Sequence, residues 1–178
     1  WKSTGAPAPA TTLVPAAATW RYRDDGRDAG TAWRAPSFDD AAWKSGSAIL
    51  GYGQGNESSV VGYGADAANK YVTTYFRRTF AVADPAAFRV VTLNLRRDDG
   101  AIVYLNGAEV YRSNMPTGAV GALTYAREAL DDGNQTFTAS VSPAALRAGA
   151  NTVAVEVHQA TRSSSDLTMQ LSLIAAPR

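Results

Sequence analysis

The sequence predicts an all-β fold, an antiparallel β-sandwich, on three observations. The first is period-2 alternation. Val91, Leu93 and Leu95 fall on one side of a strand and Thr92, Asn94 and Arg96 on the other. Val153, Val155 and Val157 alternate likewise with Ala154, Glu156 and His158, and Leu167, Met169, Leu171 and Leu173 with Thr168, Gln170 and Ser172. Strands with one buried and one wetter face read this way. The second is turn chemistry: Asp98-Asp99-Gly100 and Asn106-Gly107 lie between β runs and supply the positive φ of tight hairpins. The third is composition. With 178 residues, 46% hydrophobic and 19% charged, the chain has the size and apolar content of one ordinary domain rather than a disordered segment.

In chain order, residues 3–19 are Ala, Pro and Thr with almost no charge, which predicts a linker or a lead-in strand. The domain is expected over 20–178, with 1–19 ahead of it and 3–19 dispensable for folding. Strands are expected at Trp20–Arg23, Thr73–Val82, Arg89–Arg97, Ala101–Asn106, Glu109–Arg112, Thr136–Val141, Thr152–Gln159 and Leu167–Ile174. Short turns are expected at Phe38–Trp43, with Ser37 or Asp39 as cap, and at Pro143–Leu146. The two Gly-containing turns predict a three-strand meander over 89–112, and strands 152–159 and 167–174 are expected to pair about Ser163. That register puts Glu156, His158, Thr168 and Gln170 on one polar face, a ligand site or an ordinary solvated sheet face.

Composition also narrows function. Seventeen basic residues against sixteen acidic ones leave a net charge of +1, so neither nucleic acid nor an acidic membrane surface is an expected partner. No apolar run approaches the roughly 20 residues of a membrane-spanning helix. Without cysteine there is no disulfide or thiol chemistry, and one histidine excludes a multi-histidine zinc site. The chain opens at Trp1 without a signal-peptide pattern and reads as a mature protein or an excised module.

FDDAAW (38–43), YFRRTFAV (75–82), LRRDDGAIVYLNGAEV (95–110) and LRAGANTVAVEVHQ (146–159), in this order, resemble the galactose-binding-like jelly roll. That fold occurs in the sugar-binding domain of β-galactosidase-type glycosidases and in carbohydrate-binding accessory modules of secreted bacterial enzymes. The resemblance spans Trp20 to Ile174 and implies a non-catalytic, extracellular module that binds polysaccharide or oligosaccharide beside a catalytic domain of the same chain. These motifs belong to the scaffold; function on such a frame sits in its loops.

With 113–135 treated as a single excursion, as the resemblance implies, strand directions gather segments 51–72, 98–100, 113–135 and 160–166 at one end of the sandwich, where binding usually sits; a further core strand at 123–130 would move His158 and 160–166 to the far end. Loop 51–72 offers Tyr52, Tyr63 and Tyr71 as flat faces for sugar rings, and Asn56, Asn69, Asp98, Asp99, Asn114 and Asp166 as hydroxyl partners. Alternatively the tyrosines pin the loop and the polar side chains make turns. Trp20, Trp33 and Trp43 read as core or core edge, with Trp33 the best candidate for an exposed platform and His158 a candidate at its sheet end. Arg97 should point inward at a strand end and need a partner such as Asp98 or Asp99. Asp24, Asp25 and Asp28 make an acidic loop suited to a structural calcium ion or to plain turn chemistry; no cofactor is required. Neighbouring acids such as Asp39 and Asp40 diverge on turns, whereas glycoside hydrolysis needs facing carboxyls, so a small polysaccharide-acting enzyme is the third reading. The second is a structural domain packed against a catalytic one.

Overall fold

The computed structural model describes residues 8–129 and 132–178. Twelve strands run β1 (Thr11–Val14), β2 (Thr19–Arg23), β3 (Lys44–Ser47), β4 (Leu50–Tyr52), β5 (Ser59–Val60), β6 (Thr73–Val82), β7 (Phe88–Asp98), β8 (Gly100–Leu105), β9 (Ala108–Ser113), β10 (Thr136–Val141), β11 (Gly149–His158) and β12 (Leu167–Pro177). Three single 3-10 turns, Ala32–Arg34, Pro85–Ala87 and Pro143–Ala145, are the helical content of the described residues. The strands form two six-stranded sheets. One is ordered β10-β7-β12-β4-β5 with β1 also on β12, and the other β3-β2-β6-β11-β8-β9. Pairings are antiparallel except the short β4–β5 pair.

The alternation in the sequence becomes the inter-sheet core. Val91, Leu93 and Leu95 of β7 and Met169, Leu171 and Leu173 of β12 face Phe76, Phe80, Val103, Val153, Val155 and Val157 across the sandwich. Asn106 and Gly107 adopt φ of 52° and 89° and join β8 to β9, the tight turn that an Asn-Gly pair favours. Ser142 caps the turn at Pro143 by accepting from Ala144 N, and Asp39 accepts from Ala41 N at 2.9 Å in the turn before Trp43.

Three expectations need correction. Asp98-Asp99-Gly100 is not a hairpin: β7 lies in one sheet and β8 in the other, so this tripeptide carries the chain between layers and the meander reduces to the β8–β9 hairpin. Nor do the last two strands pair. β11 sits between β6 and β8, β12 beside β7, and 159–166 crosses from sheet to sheet. His158 therefore lies opposite Thr73 and Gly100, and Thr168 opposite Asp98. The boundary near Trp20 also moves. Thr11–Val14 pairs with Leu173–Ala175, and Val14 is fully buried, because a single Leu-Val pair in an otherwise small-residue segment suffices to dock an edge strand.

The outward face of the β6–β11–β8 sheet is not wet. Residues 29–43 and the stretch 114–126 lie over it and build a second core from Trp33, Tyr75, Ile102, Tyr104, Met115, Ala126 and Ala154. Trp33 meets Tyr75 edge-on at 4.9 Å and Tyr104 at 5.8 Å. Arg77, 1% exposed, holds the first cover: its guanidinium donates to the carbonyls of Trp33, Ala35 and Phe38 and to Asp40 Oδ2. Arg78, its neighbour, turns away and donates to Thr19 O.

Candidate functional site

The four long segments do converge at one end of the sandwich. Lys70 N donates to Arg162 O, Ala160 N to Asp99 Oδ2 and Arg127 N to Asn114 O, each bond joining two of them or two ends of one. The candidates gathered there are mostly turned inward. Tyr52 is 5% exposed; its hydroxyl accepts from Gln159 Nε2, and burial raises its pKa. The Tyr63 ring packs at a tilt against Tyr52 with centroids 4.9 Å apart. Tyr71 lies over Gly26, at φ +74°, so closely that a Cβ there would meet the ring at 2.4 Å. The tyrosines thus pin the loop. Asn56 and Asn69 are exposed, and Asn69 Oδ1 accepts from Arg162. Half-buried Asn114, at φ 54°, ties Asp99 O to Glu128 O.

Behind them three carboxyls share one buried site. Asp99 Oδ2 accepts from Ala160 N at 2.7 Å and Ser164 Oγ at 2.9 Å. Asp166 accepts from Ser165 Oγ and Gln54 Nε2. No N–H or O–H of a described residue reaches either oxygen of Asp98. Burial first, then its hydrogen bond to the Asp166 carboxyl and the charge of Asp99, push the Asp98 pKa up to about 9. A value raised in this way favours the protonated form of Asp98 beside the other two carboxyls. Arg97 Nε donates to Ser113 Oγ, and its guanidinium lies 4.0 Å from the Phe137 ring centroid. The cluster is a closed joint between loops.

His158 and Glu156 are buried beneath the second cover. His158 Nδ1 is 2.7 Å from Thr124 O and 2.9 Å from Thr73 Oγ1, whose own proton goes to Ala122 O. A carbonyl only accepts, so the network assigns the proton to Nδ1. Nε2 faces Glu156 Oε2 at 3.3 Å. Glu156 Oε1 accepts from Tyr104 at 2.5 Å and Arg34 at 3.2 Å, and Arg34 lies 4.2 Å over the Tyr104 ring. This group fastens stretch 122–124 and the Trp33 turn to the sheet; it is no open polar face. Trp33 itself is fully buried, contrary to the exposed platform expected of it, because the 3-10 turn at 32–34 rotates its indole onto the sheet.

An open depression of about 280 Å3 lies on the flank of the long-loop end, lined by Tyr22, Arg23, Asp24, Asp25, Ala42, Trp43 and Lys44. Half-buried Trp43 is held from behind by Trp33 at 6.4 Å and edge-on by Phe38 at 5.6 Å. Asp24 accepts from Lys44 Nζ (2.8 Å to Oδ1) and from Gly62 N at 2.5 Å, which joins the shelf to the long loop. Asp25 accepts from Arg23 Nε at 3.0 Å and Arg27 N at 3.1 Å, and Asp28 from Gly30 N at 2.7 Å. The acidic loop therefore turns its carboxylates to neighbouring cations and amides. Among the described residues no three His, Asp or Glu side chains are placed to hold a metal ion. Sequence reasoning set Trp43 aside as a core cover and Asp24 and Asp25 as turn or calcium residues. The signal available was Trp20, Tyr22 and Asp24 in one register, ending in a carboxylate beside the FDDAAWK turn.

No family model matches this sequence, and the search of curated proteins finds no match. Solved structures share the fold. A β-glucuronidase of Bacteroides uniformis superposes with a TM-score of 0.61 at 19% identity, covering 95% of this chain and 18% of that one. A β-glycosidase from Bacteroides vulgatus gives 0.54 at 17% identity, over 93% and 20%. A Lactobacillus rhamnosus β-glucuronidase gives 0.53 at 15%, over 100% and 30%. The chain thus spans about a fifth to a third of the length of these proteins and shares an all-β sandwich with them.

Proposed function

We propose that this chain is a non-catalytic, extracellular glycan-recognising module of a larger carbohydrate-active enzyme, and that it holds saccharide on the Trp43 shelf. The observation that carries the reading is an accessible aromatic face braced from behind and flanked by polar groups already fixed by their own bonds. Saccharides present C–H faces that stack on an indole and hydroxyls that exchange hydrogen bonds with such groups. A braced Trp43 loses little freedom on binding, which favours affinity. The shelf lies beside the rim of the long loops, but its aromatic comes from 42–44 and not from the tyrosines of 51–72. A module of this kind raises the local concentration of its enzyme on a polymer and performs no chemistry. Location of the same fold within β-glucuronidase chains supports the reading.

The test is retention on a panel of insoluble and soluble polysaccharides by pull-down and affinity electrophoresis. Trp43→Ala is expected to abolish retention of whichever glycan binds, with the far-ultraviolet spectrum unchanged, while Tyr63→Ala leaves retention intact. Retention insensitive to Trp43→Ala, or absent across the panel, would overturn the proposal.

A further inference from the structure

We propose that the saccharide taken by the Trp43 shelf is acidic, bearing a carboxylate that Arg23 and Lys44 meet; this rests on the shelf being the glycan site. The charges there are unequally exposed. The side chains of Arg27 and Lys44 are 79% and 63% exposed, whereas Asp24 is 2% and Asp25 44% exposed. Among the residues that line the shelf two cations, Arg23 and Lys44, stand against two carboxylates, and one of those carboxylates, Asp24, is shut away from the mouth. Buried Asp24 nevertheless acts on the shelf: its hydrogen bond and charge raise the Lys44 pKa and keep the ammonium in place.

The occupied carboxylate, Asp25, already accepts from two N–H donors, Arg23 Nε and Arg27 N. Arg23 gives only its Nε to a described residue, so its two terminal nitrogens remain donors on the wall of the shelf. A guanidinium edge matches a planar carboxylate in a bidentate pair, which a hydroxyl does not reproduce. Lys44 Nζ sits 5.9 Å from the Tyr22 ring centroid, above an apolar floor that excludes water on one side and strengthens the field at the mouth. An uncharged sugar would leave these donors on water; a uronate-type residue stacked on Trp43 would engage them. The carboxylate, rather than a sulfate, is the group assigned, because the planar two-donor edge fits it.

Matched ligands separate this inference from the reading beneath it. Affinity electrophoresis and calorimetry would use polyuronates (polygalacturonate and alginate), the methyl ester of each, and a sulfated glycan. The acid forms are expected to bind about tenfold more tightly than their esters, as one charge-assisted pair implies, with the difference lost in high salt. Arg23→Gln should bring the acid down to the level of its ester, while Arg147→Gln, at the far end of the sandwich, changes neither. Acid and ester bound equally, in a manner still dependent on Trp43, would overturn the acidic assignment and leave the glycan reading standing. Sulfated glycan bound as tightly as polyuronate would overturn the carboxylate. No binding by any ligand would overturn both.

Discussion

The outward faces of the two sheets begin from similar alternating strands and end in opposite environments. On the β7–β12 sheet, Thr92, Asn94, Arg96, Gln170 and Ser172 stay partly open to water and form short ladders, such as Thr138 Oγ1 to Asn94 and Asn94 Nδ2 to Ser172. On the β6–β11 sheet, Tyr75, Arg77, Glu156 and His158 occupy the same kind of position and are all buried. The difference lies in what covers each face. On the first sheet short side chains satisfy one another across strands and Arg96 donates to the Gly133 carbonyl, whereas on the second Arg77 and His158 bond the backbone of covering segments and Glu156 holds the Arg34 side chain of one of them. A polar residue in a strand can therefore mark either a wet face or a clamp, and the aromatics packed around it separate the two.

The sharpest way to break that distinction is to remove a clamp. Arg77→Ala leaves the carbonyls of Trp33, Ala35 and Phe38 and the Asp40 carboxylate without their donor. The expected loss is about 3–5 kcal/mol, the cost of breaking a buried ion pair with its hydrogen bonds. It should appear as a large fall in Tm and a red-shifted tryptophan emission as Trp33 and Trp43 become wet. A loss under about 1 kcal/mol, the level of a surface pair, would mean the cover holds without its clamp.

Next in size is the behaviour of Tyr52 at the long-loop end, a region that resembles the clamped face more than the open one. Tyr52→Ala removes a buried ring and the acceptor of Gln159, with an expected cost of about 3 kcal/mol, and glycan retention per folded molecule should not change. Retention lost without loss of Tm would return the tyrosine to the role of a sugar platform.

The carboxyl cluster at that end sharpens the comparison through pH. The Asp98 pKa is raised on folding, so its contribution favours the folded state fully below its ordinary value near 3.8 and is lost as pH rises toward about 9. Wild-type stability, measured by urea unfolding, should therefore decline between pH 5 and 9 (about the span between the two values). Asp98→Asn, neutral at every pH, should flatten that slope. Asp25 and Glu109 are shifted the other way, Asp25 by bonds to Arg23 and Arg27 that outweigh its slight burial, Glu109 by its hydrogen bond to Arg112. Their contribution is lost only in acid, as pH falls below the ordinary carboxylate range, which keeps the two effects in separate windows.

How much of this was legible in the sequence follows the same division. Period-2 runs located β6, β7, β10, β11 and β12 to within a few residues because each has a continuous apolar face over at least half its length. The strands at Thr11–Val14, Lys44–Ser47, Leu50–Tyr52 and Ser59–Val60 are two to four residues long, too short for a period to register. Strand partners were misjudged for a related reason. Asp-Asp-Gly and the Ser-rich 161–166 have the composition of hairpin turns, and nothing local distinguishes a turn within a sheet from a step between sheets. Convergence of the four long segments was legible, since it depends on strand direction once 113–135 is taken, as the resemblance implies, for a single excursion. The inward turn of Tyr52, Asp98 and His158 was not, since it depends on covering segments whose path no local pattern encodes.

The smallest effect tests the open face directly. Asn94 lies in the middle of β7, donates to Ser172 Oγ at 3.3 Å and accepts from Thr138 Oγ1 at 2.9 Å, yet it keeps access to solvent. Asn94→Ala deletes both bonds, but water replaces the partner for Ser172 and Thr138, so neither group is left unsatisfied in the way Asp40 is without Arg77. The expected cost is below about 1 kcal/mol, the net value of a solvated hydrogen bond. Alanine is no worse than asparagine in a strand, so propensity adds nothing to that cost. A loss approaching that of Arg77→Ala would mean that the β7–β12 face depends on its polar ladder as strongly as the other sheet depends on its clamp, and the contrast between the sheets would fall.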